Sequence, residues 1–178
     1  MAVDMKEMIA EAARKLVVEK NVKKLTVKDI VDECEITRQA FYYHFADIPE
    51  LLDWVLERET KQLLQNCCVQ EDPEKGLREF FMLAINAIPG IRKSMESNYG
   101  KEIEYLLMEH TSQLFEATVK KQGIKQGYTP WEQQFFFRYH TQAILGLLRY
   151  WTPEDTEHLD EIVHQVYLIL SNQNRINA

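Results

Sequence analysis

Residues 25–45 read LTVKDIVDECEITRQAFYYHF, and the fold turns on how that stretch divides. Thr26 is suited to cap a short helix, with Asp29 three residues on, near the helix's positive end. Val27, Ile30 and Val31 then share its buried face. The apolar pattern breaks at Cys34-Glu35-Ile36. Thr37 can cap a second short helix whose inner face is Ala40, Phe41 and Phe45. Two helices of about eight residues parted by a tight turn suit a helix-turn-helix. Upstream, Ile9, Ala12, Ala13, Leu16 and Val17 recur at helical spacing, so a first helix over residues 4–20 would close the small core.

With Ala40 and Phe41 inward, Arg38, Gln39, Tyr42, Tyr43 and His44 fall on or near the outer side of the second helix. A solvated helix face normally carries Glu and Lys, yet no acid stands between Thr37 and Ala46. Such a surface suits DNA. Arg matches the guanine edge, Gln the adenine edge, and hydroxyls and helix N-termini hold phosphates. The same pattern also fits a small helical core under a polar cover with half-buried aromatics, and period and composition do not separate the two.

The rest of the chain fixes the fold class. It has 178 residues, 46% hydrophobic and 28% charged, which excludes wholesale disorder. Six Gly and five Pro argue against a turn-rich all-β fold. Asp72-Pro73, Thr129-Pro130 and Thr152-Pro153 each place a capping side chain before a Pro suited to a first helical position, and Asp47-Ile48-Pro49-Glu50 reads similarly. Each is expected to open a helix of 15 or more residues, and Thr129 with Glu132 fits a capping box. No run alternates long enough for a strand. The reading is all-α, about nine helices, with an amino-terminal three-helix module and a larger helical domain behind it.

Several function classes are excluded or disfavoured. No apolar run approaches 18 residues, so no membrane span or membrane partner is expected, and the first 11 residues lack the apolar core of a secretory signal. The three cysteines, Cys34, Cys67 and Cys68, give neither a disulfide framework nor a CxxC knuckle, so a reducing cytoplasm is the expected compartment. His158-x-x-Glu161-x-x-His164 drifts around a helix instead of facing one point, so no metal is expected. There is no P-loop, GxGxxG or GxSxG, and neither a cofactor nor enzymatic activity is expected. The net charge of −7 by itself argues against nucleic acid. The acidity is uneven, however: residues 1–48 hold 8 Lys and Arg against 9 acids, the remainder 13 against 19.

In order and spacing, Ala12-Ala13 with Leu16, Thr26-Val27 with Ile30, Ile36-Thr37-Arg38, Phe41-Tyr42-Tyr43-His44-Phe45 and Leu51-Leu52 resemble the amino-terminal domain of TetR-family transcription regulators. The resemblance spans residues 8–52, and the rest of the chain carries no motif. Trp54, just past Leu51-Leu52, taken with Tyr42-Tyr43 resembles a subgroup associated with dihydroxyacetone kinase genes. The resemblance implies a DNA-binding domain over residues 1–48 and a ligand-binding and dimerisation domain over residues 49–178. It implies that Thr26 and Tyr42 hold phosphates and that His44 lies at or near the DNA backbone. Thr37, Arg38, Gln39 and Tyr43 fall where the family meets bases or adjacent phosphates. Three positions depart from the pattern: Asn21 and Glu35 replace glycines, and Ile48 replaces a phosphate-binding Lys at the start of the fourth helix. Lys23, Lys24 or Lys28 would compensate for the lost charge.

The family also implies pairing through the last two long helices. Phe135, Tyr139, Ala143, Gly146 and Leu147 on one, and Ile162, Val163, Val166 and Leu170 on the other, are the candidate interface; the alternative is an intramolecular core. Trp54, Phe81, Tyr99, Tyr105, Met108 and His110 are the candidate lining of an apolar ligand pocket. The expected function is a homodimeric transcription regulator that binds a palindromic operator on double-stranded DNA and changes affinity when a small-molecule effector binds. The alternatives are a regulator or co-activator controlled by a protein partner, and an all-helical enzyme or carrier with a decayed DNA head.

Overall fold

The computed structural model describes residues 4–68, 72–121 and 129–171. Among them are nine α-helices and no strand: α1 Met5–Arg14, α2 Val27–Cys34, α3 Arg38–His44, α4 Ile48–Cys68, α5 Pro73–Met95, α6 Gly100–Lys121, α7 Pro130–Arg149, α8 Pro153–Glu157 and α9 Leu159–Ser171. The first helix runs on through a wider π-type segment, Lys15–Glu19. That segment ends where Asn21 takes the left-handed conformation, φ 55°.

The helix starts follow local chemistry. The Thr129 hydroxyl accepts from Glu132 N–H while the Glu132 carboxylate accepts from Thr129 N–H, a closed capping box. These bonds hold the Glu132 carboxyl below the usual carboxylate range. Asp47 accepts from Glu50 N–H at 2.9 Å, and Asp72 from Glu74 N–H at 3.0 Å. The start at Thr152 departs from expectation. Its capping box with Asp155 opens only the five-residue α8, not a long helix. The chain leaves helical geometry at His158 (φ −103°, ψ 23°) and re-enters it at Leu159. Trp151 Nε1–H donates to Thr156 Oγ1 at 2.9 Å, and the short helix lets Trp151 and Leu159 enter one core.

The chain divides into two compact units, residues 1–58 with 89–107 and residues 59–88 with 108–178. The division falls within α4, α5 and α6, and on α5 it coincides with Pro89, which cannot donate a backbone hydrogen bond. The first unit is built on Ile9, Ala13, Leu16, Leu25, Ile30, Phe41, Phe45 and Leu51, all buried. Ile48 belongs to the same core and is only 3% exposed. At this position, read as having lost a phosphate-binding lysine, an apolar side chain closes the head. In the second unit Phe81, Trp151, Leu159 and Val163 form one cluster and Phe136, Phe137 and Leu170 another. Arg78 with Asp160 and Glu74 with His164 pair α5 to α9, and Phe115 of α6 stacks on Phe136 of α7.

Candidate nucleic-acid interface

The module of α2 and α3 is set by its caps. Thr26 Oγ1 accepts from Asp29 N–H, and Asp29 Oδ2 accepts from both Thr26 N–H and its hydroxyl. At the other end of α2 Glu35 sits in the left-handed region, φ 56° and ψ 38°, and Ile36 N–H returns to the Val31 carbonyl at 3.0 Å. The turn is thus made by a non-glycine residue at positive φ, a conformation that costs a residue with a Cβ about 1 kcal/mol. Thr37 then caps α3 by accepting from Ala40 N–H at 3.1 Å.

Phe41 and Phe45 anchor α3 in the head's core, and the outer face follows by helical geometry. Thr37, Arg38 and Gln39 are exposed. Tyr42 is 56% and Tyr43 84% exposed, and His44, half-buried, lies edge-on to Tyr43. Lys28 is exposed on α2, and Thr26 is half-buried at its cap. The eight sequence-predicted DNA-binding residues therefore occupy one short segment with their polar ends outside the core.

Most of the head's other cations have partners within the protein. Arg14 pairs with Glu11 and Glu19, and Lys15 and Lys20 both reach Glu33. The Lys15 ammonium, then that of Lys20, keeps the Glu33 carboxyl below its ordinary range. Lys6 lies over the rings of Phe45 and Trp54. Lys23 pairs with Glu96, both side chains remaining exposed. Among the described residues Lys24, Lys28 and Arg38 make no ion pair.

The pocket candidates fall in both units. Trp54 and Tyr99 pack against the head's core, and Trp54 meets Phe45 edge-on. Phe81 is fully enclosed by Trp151, Leu159 and Val163, a packing position. Tyr105 is exposed, Met108 Sδ accepts from Gln142 Nε2, and His110 is buried on α6. One feature had no sequence signal: Thr141 Oγ1, buried on α7, is without a hydrogen-bond partner among the described residues.

The interface candidates divide by helix. On α7 Phe135, Tyr139, Ala143, Gly146 and Leu147 are all exposed, in line with Trp131 (71% exposed) and Tyr150 (78%). A Cβ added at Gly146 would meet nothing within 4 Å. On α9 Val163 and Leu170 are buried in the unit's own core, with Ile162 and Val166 packed against it. Val163 and Leu170 thus serve the intramolecular core, while Ile162 and Val166 are half-buried beside it. Cys67 and Cys68 have side chains outside the described residues. Among the described residues no group of three or more His, Cys, Asp or Glu could hold a metal, and no helix is long and apolar enough to cross a membrane.

Residues 9–55 match the family model described as bacterial regulatory proteins, tetR family. The chain is 23% identical over 147 residues to the HTH-type dhaKLM operon transcriptional activator DhaS of Lactococcus lactis subsp. lactis (strain IL1403), covering 80% of this chain and 76% of that protein. Among solved structures it resembles a dihydroxyacetone kinase operon activator DhaS, with TM-score 0.63, 20% identity and 98% of each chain covered. It also resembles the fatty acid degradation regulator FadR from Bacillus halodurans, with TM-score 0.57, 13% identity, and 93% of this chain and 97% of that one covered.

Proposed function

We propose, the chain being a member of the TetR family through residues 9–55, that it binds a palindromic operator as a homodimer and changes affinity with a small-molecule effector. The observation that carries the DNA reading is the outer face of α3. Arg38, Gln39, Tyr42 and Tyr43 are all exposed there, on a helix fixed at both ends and free of acids. Arg38 and Gln39 read base edges, while Thr26, Thr37, Tyr42 and His44, with Lys24 and Lys28, hold the backbone. Tyr43 stands between these roles, within reach of a base or the adjacent phosphate. Residues 1–48 supply the reading surface and residues 49–178 the pairing and sensing.

Pairing belongs to this reading because one recognition helix makes few contacts, and two spaced about one helical turn apart give useful specificity. The file of apolar residues on α7 is the seam we assign to the second subunit. For the effector, the orphaned Thr141 hydroxyl is the clearest polar feature. A buried, unpaired hydroxyl costs about 1–3 kcal/mol, which a ligand group would recover. The likeness to dihydroxyacetone kinase operon activators extends the proposal to activation and to genes of that class. Selection of operators from random duplex DNA tests the reading. It should yield an inverted repeat bound by a dimer, with affinity altered by members of a metabolite panel that includes dihydroxyacetone. Enrichment of no sequence would refute it.

A further inference from the structure

The turn that joins α5 to α6, residues 96–99, is bonded to the entrance of the reading module. Asn98 N–H donates to the Lys23 carbonyl at 2.9 Å. Its side chain pairs with Leu25 in both directions: Leu25 N–H donates to Asn98 Oδ1 at 2.8 Å, and Asn98 Nδ2 donates to the Leu25 carbonyl at 3.4 Å. Beside them Lys23 pairs with Glu96, and Lys93 Nζ donates to the Val18 carbonyl at 2.7 Å. All these bonds land on residues 18–25, the link that leads into Thr26.

The link needs such a partner. Leu25 is buried and stands outside any helix, so its backbone groups have no ladder to join. A carboxamide offers the same acceptor and donor as a peptide group, and Asn98 supplies both. The turn that presents it is itself closely built. Ser97 Oγ donates to the Ser94 carbonyl at 2.7 Å and accepts from Tyr99 N–H, and Gly100 N–H donates to the Ser97 carbonyl. A Cβ at Gly100 would stand 2.0 Å from the Met95 carbonyl oxygen, so only glycine closes it. Tyr99 packs on the head's core and holds the turn against it.

From this geometry we propose that Asn98 is a positioning residue for DNA binding: by fixing the Leu25 backbone it sets Thr26 and the N-terminus of α2 where they meet the phosphates. Operator affinity is then partly governed by a turn 73 residues away in sequence. A displacement of that turn reaches Thr26 through hydrogen bonds between backbone and carboxamide. The inference rests on the DNA-binding reading of the head.

The test compares Asn98→Ala, Asn98→Asp and Gly100→Ala with the wild-type chain and with Arg38→Ala. Binding to a selected operator and to scrambled duplex is measured over a salt series, with amide exchange at Leu25. Asn98 is exposed, so its variants should keep their helical content. Releasing the Leu25 backbone predicts roughly a tenfold loss of affinity for both DNAs. The salt slope should stay unchanged, because the phosphate contacts disturbed are made by a hydroxyl and backbone N–H groups and no cationic contact is removed. Leu25 exchange should accelerate by a similar factor. Asn98→Asp keeps the acceptor and should recover part of the loss, and it carries the test if the alanine variant is destabilised. Gly100→Ala should reproduce the pattern without touching Asn98. Wild-type affinity in Asn98→Ala, or lost affinity with Leu25 exchange unaltered, overturns the proposal while leaving the DNA reading intact. A wild-type chain that binds no DNA, with Arg38→Ala no different, overturns both.

Discussion

Two helices carry aromatic rings into solvent, and they do so in different company. On α3, seven residues long, Tyr42 and Tyr43 stand among Arg38, Gln39 and Thr37. Every exposed side chain there ends in a hydrogen-bonding group. On α7, 20 residues long, Trp131, Phe135, Tyr139, Ala143, Gly146, Leu147 and Tyr150 form a file without a charge. Its first three rings stack on one another, with centroids 5.7 and 6.1 Å apart. A short, donor-rich face matches base edges and phosphates, which demand partners at fixed positions. A long apolar file gains by leaving water, at about 25 cal/mol per Å² covered. Exposed aromatics therefore do not name a partner by themselves; the groups between them do.

The largest expected effect breaks the α7 side of this contrast. Tyr139→Glu or Gly146→Glu places an unpaired charge in the proposed seam and should cost several kcal/mol of association. Light scattering should then show monomers with wild-type helicity and no measurable operator binding. A folded variant that stays dimeric would move the interface elsewhere, and a monomer with wild-type operator affinity would end the two-headed mechanism. Val166→Asp provides the counterpart. Val166 packs into the chain's own core, so that substitution should lower the melting temperature before it alters association.

On α3 the contrast sharpens into two classes of contact. Arg38→Ala and Gln39→Ala should each remove about 1–3 kcal/mol of discrimination between operator and scrambled DNA. Competition titrations with single-base operator variants would locate the bases read, and an unchanged ratio would show that neither residue reads one. Tyr42→Phe removes only a hydroxyl and should cost about 1 kcal/mol on every sequence alike. A loss confined to the operator would transfer Tyr42 to the reading set.

What was legible in the sequence was local. Thr26, Thr37 and Thr129 cap the helices they were expected to cap because a cap needs only three or four neighbouring residues. The all-helical class followed from apolar spacing summed over long segments. The failures lie where distant packing decides. The apolar face of α9 has the same period whether it meets a second subunit or its own core, and contacts to Phe81 and Trp151 settle the choice for Val163. The helix opened at Thr152 stops at His158, and Trp151 and Leu159 on either side of it share one cluster, which no local pattern announces. That Ile48 stands in place of a lysine is visible in the sequence, but not that the head's core encloses it. The Asn98 clamp, joining residues 73 positions apart, left no periodic trace.

The smallest effect concerns an acid just before the reading helix. Glu35 holds φ 56° at the end of α2, two residues before the cap of α3. Glycine adopts that conformation without the Cβ clash, so Glu35→Gly should stabilise the chain by up to about 1 kcal/mol, or roughly 2–4 °C in melting temperature. Asn21 holds the same region at φ 55°. Asparagine tolerates it far better than a glutamate does, so Asn21→Gly should gain less. Removing the carboxylate also lifts a repulsion against the DNA backbone. Affinity should rise on operator and scrambled DNA alike, about two- to threefold at low salt, and the gain should fade as ionic strength shortens the screening length. Asn21→Gly, which changes no charge, should leave binding unaltered. If Glu35→Gly stabilises the fold but leaves affinity the same at every salt concentration, the acid lies outside the field of the phosphates, and the acid-free character of α3 matters only on the helix itself.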